Sequence, residues 1–442
     1  MLSQQVDLVV LGAGAAGMMG ALAAAERGLQ VILIDPHFEQ SNNFAVSGGL
    51  FPAAGSSLQA KAGVLDSPGN WLADLRAFAG SSLNERIAES VANALPEVVN
   101  FLIHELDAPI QFLSDVVSTG HTQCRFHSST PSGGKSFHQW FRTRSLNHPG
   151  IEFSSCFAHV EKMAQGFLVS TPDRHWQTRH LMLAGGGFGS NPQWVSQHIP
   201  SMRGALYNGA PNNDASVLAL GLQWGGYLSG MDGFQGQGHT HPGGVTRLGM
   251  AIPAMGGIMV NRMGERFVRE DIGPSALAPY VMAQPGGVAL EVFDAHIENG
   301  LTNHSAYQEA VQAHRVMRAD DVPTLAALAG VDVHGLQATL DSVQETAQGL
   351  SRDALGRDSF THVLRSPYLA SWVTGALSHT QGGLVTDGDG RVCAREGQWV
   401  HGLWAAGGCA AGLSGQGAEG YLPGNGLAQS FGLAWRMAQS LD

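Results

Sequence analysis

From its amino end the chain opens on a short apolar run, Val6-Asp-Leu-Val-Val-Leu11, bounded by Gly12, which predicts a buried strand. Gly12-Ala-Gly14-Ala-Ala-Gly17 follows, then an alanine-rich helix to about Arg27 and a second strand, Gln30-Val-Ile-Leu-Ile-Asp35, so the pattern predicts a βαβ unit. Leu181–Leu183 is a strand closed by Ala184-Gly-Gly-Gly187-Phe-Gly189, and Gly402-Leu-Trp-Ala-Ala-Gly407 closes another near the carboxyl end. Three Gly-terminated strands so far apart predict one sheet assembled from both ends of the chain. In between, apolar positions shift to helical spacing at 306–318, 323–330 and 334–348, and glycines thin out after Gly300. That change predicts an inserted α+β domain at 236–365 within an α/β, Rossmann-like domain formed by 1–235 and 366–442.

Composition narrows the functional classes. The 442 residues are 44% hydrophobic and only 14% charged, the opposite of a disordered signature. With 24 Lys+Arg against 36 Asp+Glu the net charge is −12, and no run of five basic residues occurs, so nucleic acid and anionic membrane are poor partners. No apolar stretch reaches the roughly 18–20 residues of a spanning helix. Cys124, Cys156, Cys393 and Cys409 form no CxxC or CxxCH pattern, which argues against a zinc site, a tethered haem or a disulfide framework. Together with an amino end lacking a basic leader segment, this predicts a cytoplasmic protein.

In the βαβ unit, Gly12 permits the tight turn, Gly14 lets backbone approach a pyrophosphate and Gly17 allows close helix–strand packing, while the helix start at Ala15 and Ala16 offers N–H groups to the anion. Asp35, followed by Pro36, is placed to accept hydrogen bonds from ribose hydroxyls. Gly415-Gln-Gly417-Ala-Glu-Gly420 has the same glycine spacing without a strand–helix–strand context and predicts nothing. His239-Thr-His241 has no cysteine or acidic cluster to complete a coordination shell, so no metal is expected. Arg262, Arg266 and Arg269 read as structural partners of backbone or of Glu270.

Dinucleotide binding alone leaves NAD and FAD open; Asn42-Asn43-Phe-Ala-Val-Ser47-Gly48-Gly49 and the segments that follow separate them. Here the sequence resembles the flavoproteins of the succinate dehydrogenase, fumarate reductase and 3-ketosteroid dehydrogenase superfamily. The resemblance runs nearly end to end, through Thr130-Pro-Ser-Gly133-Gly134, Ala184–Asn191, Gly257–Glu270, Ser378-His379-Thr380-Gln-Gly382-Gly383 and Pro423-Gly-Asn-Gly426. It implies an FAD-binding domain with an inserted capping domain. It also implies cofactor contacts at Asn42, Asn43, Ser47, Gly48 and Gly49, at Ala184, Gly185, Gly186, Asn191 and Asp214, and at Gly407, Gly424, Asn425, Gly426 and Leu427.

Departures from the family pattern carry as much information as the matches. The histidine that bears covalent flavin in respiratory members aligns with Asn42, so FAD is expected to be non-covalent. The catalytic arginine of the fumarate reductases aligns with Pro274, their second substrate-clamping arginine with Tyr421, and their proton-relay set with Gly249, Met250 and Pro253. The acidic ribityl contact falls on Gly408, leaving Glu419 as its substitute. Arginine forks are how a site grips a dicarboxylate, so their loss speaks against succinate and fumarate. A tyrosine before a Pro/Gly-rich turn instead resembles the ketosteroid dehydrogenases, where a tyrosine hydroxyl polarises a ketone oxygen.

The expected protein is an FAD oxidoreductase moving a hydride between flavin N5 and an activated C–C bond, as α,β-dehydrogenation of a carbonyl compound or the reverse. Tyr421, His379, Tyr280, Arg247 and His241 are its candidate catalytic residues. Its partners would be a small-molecule substrate and an unnamed electron acceptor or donor. Two alternatives stay open at this point: a flavin oxidase acting on a C–N or C–O bond, and a cofactor-binding protein without turnover.

Overall fold

The computed structural model describes residues 3–244, 248–357 and 360–442. Arg247 therefore lies outside the described residues. Two compact units emerge: 1–198 with 209–234 and 379–442, and 199–208 with 235–378.

The first unit is built on a twisted sheet whose strands come from both chain ends. Its central strands are β1 (Gln4–Leu11), β2 (Val31–Ile34), β3 (His175–Leu183) and β4 (Trp399–Ala405), in the spatial order β4-β3-β1-β2, all parallel, with Ile151–Ser154 added beyond β2. Leu8 to Leu11 and Val31 to Ile34 are all buried, as the near-continuous apolar runs of a covered parallel sheet require. Helix α1 (Ala15–Glu26) is buried from Ala15 to Ala25. Its small residues make that possible: a Cβ on Gly20 would fall 2.9 Å from the Met182 sulfur. The closing helix α2 (Asn425–Ser440) is amphipathic, and its Phe431 joins Phe44, Phe51, Phe137 and Phe141 in an aromatic cluster of edge-on and stacked contacts.

The second unit has its own mixed sheet around the long strand Tyr368–Thr380. Val288–Asp294 and Met317–Ala319 pair with it antiparallel and Leu206–Tyr207 parallel. Because Tyr368–Ser378 is bound into this sheet, the later junction between units falls at 378/379 and not near 365. The helices Val322–Ala329 and Val333–Ala347 match the apolar spacing closely, and each starts on an aspartate, Asp321 or Asp332, whose side chain caps it. The helical reading of 306–318 overran. Ser305–Gln312 is helical, but His314 takes a left-handed conformation (φ 53°), Arg315 N–H turns back to the Ala310 carbonyl, and Met317–Ala319 becomes a strand.

Candidate active site

Register brings the distant motifs to one edge. Leu11 is level with Ile34 on one side and with Leu183 on the other, and Leu183 is level with Ala405. Gly12, Asp35, Ala184 and Ala406 therefore leave the sheet in a single row at its carboxyl edge. Two bonds close the row around Gly12: its N–H donates to the Ile34 carbonyl (2.7 Å), and Ala184 N–H donates to the Leu11 carbonyl (2.8 Å). The chain departs from β1 in both directions across the sheet, and such a switch point leaves a crevice for a ligand.

The three glycines of the turn face three different surroundings. Gly12 has φ 106°, and a Cβ there would lie 2.5 Å from the Ala184 carbonyl oxygen; one on Gly17 would lie 1.8 Å from the Gly12 oxygen. On Gly14 a Cβ would meet nothing within 4 Å. Gly14 is also the N-cap of α1 and supplies no side-chain bond to it, so the first N–H groups of α1 open onto that space. Asp35 stands beside it with both oxygens engaged, Oδ2 by Ala13 N–H and Oδ1 by His37 N–H, each at 2.8 Å. This aims the carboxylate toward the glycine turn, at the bend made with Pro36. The open, donor-lined cradle beside a carboxylate fits the pyrophosphate and ribose of a dinucleotide.

Around this cradle, many polar residues of the motifs fasten backbone to backbone. Asn42 caps the short helix Asn43–Val46 by accepting from Ala45 N–H (3.1 Å). Asn43 accepts from Ala210 N–H (2.7 Å) and from the Asn213 amide (3.2 Å). Ser47 Oγ accepts from Gly49 N–H (3.0 Å), and after Gly48 a Cβ on Gly49 would strike Gly133 at 2.5 Å. Asn191 accepts from Gln193 and Trp194 N–H and donates to the Asp214 carbonyl, while Asp214 accepts from Ser216 N–H at the start of the next helix. Side chains are excluded from Gly185 by Val217 and from Gly186 by Asn213. A Cβ on Gly407 would press on Ala16 at 3.0 Å, and one on Gly408 would lie 2.5 Å from Gly187 N, so no acidic side chain fits at 408. Glu419 is exposed.

Tyr421 and His379 meet edge to face, with ring centroids 5.3 Å apart and planes at 81°. Both lie at the start of α2. Gly424 is its N-cap, with φ 87° and no capping side chain, and a Cβ on Gly426 would lie 2.9 Å from His379 Nε2 and 3.8 Å from the Tyr421 hydroxyl. Asn425 is buried, its amide donating to Ser414 Oγ (3.0 Å) while its Oδ1 has no partner among the described residues, and Leu427 follows on the first turn. Burial pushes the Tyr421 phenol up to about 12, partly offset by the Gly426 and Gly424 N–H groups. Burial likewise pushes the His379 imidazole down to about 4. Each ring is thus uncharged at neutral pH, and the larger cause in each case is desolvation, not a neighbouring ion. Gln381 Nε2 lies 2.9 Å from His379 Nδ1, and the Thr380 carbonyl oxygen lies 3.3 Å from the same nitrogen.

The remaining candidates lie in the second unit. His241 accepts from Gly243 N–H at 2.9 Å, and burial and Arg315 lower its basicity. Tyr280 is exposed on the helix Pro274–Met282, where Pro274 occupies the first turn, a position that suits proline. His239 is buried and pairs with Glu291 (3.0 Å). Among the described residues no group of three or more His, Cys, Asp or Glu could hold a metal. Arg266 forks onto Glu270 at 2.8 Å through two nitrogens, Arg357 joins that carboxylate, Arg269 forks onto Asp271 and Arg262 lies over Trp372, so all four are structural.

Sequence reasoning assigned no role to Gln381, though it sits inside a quoted motif, nor to His121, an isolated histidine whose loop carries no signal.

A parallel sheet with an open, donor-lined glycine turn at its switch point beside Asp35 defines a dinucleotide-binding protein. The family model described as FAD binding domain matches residues 7–427, and the chain belongs to that family of FAD-dependent oxidoreductases. It is 26% identical over 425 residues to a fumarate reductase (cytochrome) of Shewanella frigidimarina, covering 93% of this chain and 73% of that one. Among solved structures, the open conformation of a flavocytochrome c3 fumarate reductase matches with TM-score 0.83 at 22% identity, over 99% of this chain and 78% of the other. A 3-ketosteroid delta1-dehydrogenase from Sterolibacterium denitrificans matches with TM-score 0.79 at 19% identity, over 99% of each chain. Among the described residues no helix is long and apolar enough to cross a membrane.

Proposed function

We propose that this FAD-dependent oxidoreductase interconverts a CH–CH bond and a C=C bond next to a neutral carbonyl group. The observation that carries the reading is the Tyr421–His379 pair, two uncharged rings in contact at the N-terminus of α2. FAD would lie with its pyrophosphate at Gly12–Gly17, its ribose at Asp35, and its flavin end along Ala184–Gly186, Gly407 and Gly424–Leu427, where bound it supplies the hydride acceptor or donor. Asn42 offers no ring nitrogen for a covalent link. Tyr421, protonated throughout the physiological range, donates a hydrogen bond to the substrate carbonyl oxygen, strengthening as negative charge develops there. That bond acidifies the carbon beside the carbonyl. Its proton passes to a base, for which we take Tyr280; His241 is kept as a candidate because the resemblance implies it, and Arg247 as a side chain able to hold an anionic group. A small-molecule carbonyl compound and a separate electron partner follow, and four free thiols suit a reducing cytoplasm.

The named relatives make fumarate the competing substrate, and the two are separable by experiment. Dithionite-reduced protein mixed anaerobically with cyclohexenone or a ketosteroid enone should regain its flavin absorbance, whereas fumarate should be slower by about 10²-fold or more. A missing charged clamp on a buried carboxylate costs on the scale of ~2–5 kcal/mol. Equal or faster reoxidation by fumarate contradicts the reading.

His379→Ala should raise KM for the enone by roughly 2–10-fold, the worth of one neutral hydrogen bond, with FAD content unchanged. Unaltered KM would remove His379 from the substrate site.

A further inference from the structure

The turn that carries Tyr421 is held from outside by a histidine whose tautomer is dictated by its neighbours. His121 is buried, and its Nε2 lies 2.9 Å from the Pro423 carbonyl oxygen, between Tyr421 and the α2 N-cap Gly424. On the other side of the ring, Nδ1 lies 3.5 Å from Arg125 Nη1. A guanidinium only donates and a carbonyl only accepts, so the ring's one proton sits on Nε2 and points at Pro423. Burial, reinforced by Arg125, pushes His121 down to about 4, leaving it neutral.

The support for this ring is rigid. Arg125 is fully buried and bound by two carboxylates, Asp66 (Nε to Oδ2, 3.0 Å) and Asp74. Asp74 also accepts from the N–H and hydroxyl of Thr122, the residue after His121. Gly120, with φ 81°, lets Leu422 close onto the same loop, since a Cβ there would strike its Cδ1 at 2.5 Å.

We propose that His121 is a positioning residue for Tyr421: its Nε2–H fixes the Pro423 carbonyl and with it the turn that aims the phenol. This rests on Tyr421 being the carbonyl-polarising donor. Loss of the bond leaves a half-buried carbonyl unpaired, the turn shifts to satisfy it, and a displacement of about 1 Å at a reacting group costs on the order of 10²-fold in rate.

The test uses the flavin-loaded protein with cyclohexenone as oxidant of the reduced flavin. His121→Leu should lower kcat by about 10–100-fold with KM and FAD content little changed, and His121→Gln, whose amide reaches the Nε2 position, should recover most of the loss. Combined with Tyr421→Phe, His121→Leu should add little, because both act through one hydroxyl; multiplying losses would overturn the proposal, as would a His121→Leu kcat within twofold of the parent. Should His121→Leu fail to fold, His121→Asn against His121→Gln gives the same contrast, since the shorter amide cannot reach Pro423. Nitrogen NMR of histidine-labelled protein gives a readout independent of turnover: protonated Nε2 and bare Nδ1 for His121 across neutral pH are expected. An Nδ1–H tautomer, or titration in the ordinary histidine range, would overturn the assignment. If Tyr421→Phe alone is silent, the carbonyl reading fails; if it is slow while His121 behaves otherwise than stated, only the positioning role fails.

Discussion

Replacing Tyr421 with phenylalanine should lower kcat by about 10²–10³ while KM and FAD content stay near those of the parent. The phenol is buried, stands against His379, and is held protonated by the cost of charging it there. Deleting its oxygen leaves the ring packing intact, so stability changes little: an ordinary hydrogen bond is worth only ~0.5–1.5 kcal/mol. A donor aimed at developing charge in a water-poor site is worth more, ~2.7–4 kcal/mol. The two scales separate on measurement. If the bond is made chiefly to the transition state, the loss appears in kcat; if it merely holds the ketone, KM rises with kcat unchanged. Steady-state kinetics with thermal unfolding of both proteins gives the answer.

Gly14→Val should yield a folded protein that has lost its flavin. Gly14 has φ −80° and ψ −167°, an extended conformation open to any residue, and a Cβ there would touch no protein atom within 4 Å. The added side chain therefore intrudes only on the space in front of the α1 N-terminus, where the pyrophosphate must come close to backbone. Gly17→Val is the contrasting change, because its Cβ would fall 1.8 Å from the Gly12 carbonyl oxygen, against backbone that cannot give way. Circular dichroism, with flavin absorbance of the purified variants, should show Gly14→Val native-like and colourless and Gly17→Val unfolded or insoluble. A yellow Gly14→Val protein would place the cofactor elsewhere.

Much of the first unit's sheet could be read from the chain because a buried parallel strand leaves a mark that solvent-facing strands do not: Leu8–Leu11 and Val31–Ile34 are apolar on both faces, and Gly12 and Gly17 sit where backbone must pass close to backbone. The helix at 306–318 was overextended because Val316 and Met317 keep the apolar spacing after the backbone has already reversed at His314. Asparagine and aspartate were the least legible. Asn191 accepts from the first N–H groups of a helix and Asp214 from the N–H of Ser216 two residues on, and the same residue types at a loop end equally suit a cofactor contact, so spacing alone cannot divide the roles. Gly133 and Gly134 stood in a quoted motif, yet their packing against Ser47 and Gly49 is backbone on backbone and leaves no side chain to read. Tyr421 was visible only as a departure from a family pattern, and His121 not at all, since its significance is a distance to a carbonyl far along the chain.

The most direct test of a neutral-carbonyl CH–CH oxidoreductase is anaerobic mixing of the oxidised, flavin-loaded protein with cyclohexanone or a saturated ketosteroid, plain or deuterated at the carbon β to the carbonyl. Bleaching of the flavin band that slows on deuteration is expected, because the β C–H bond breaks as the flavin is reduced. Bleaching by amines or alcohols while every ketone leaves the spectrum unchanged would contradict it.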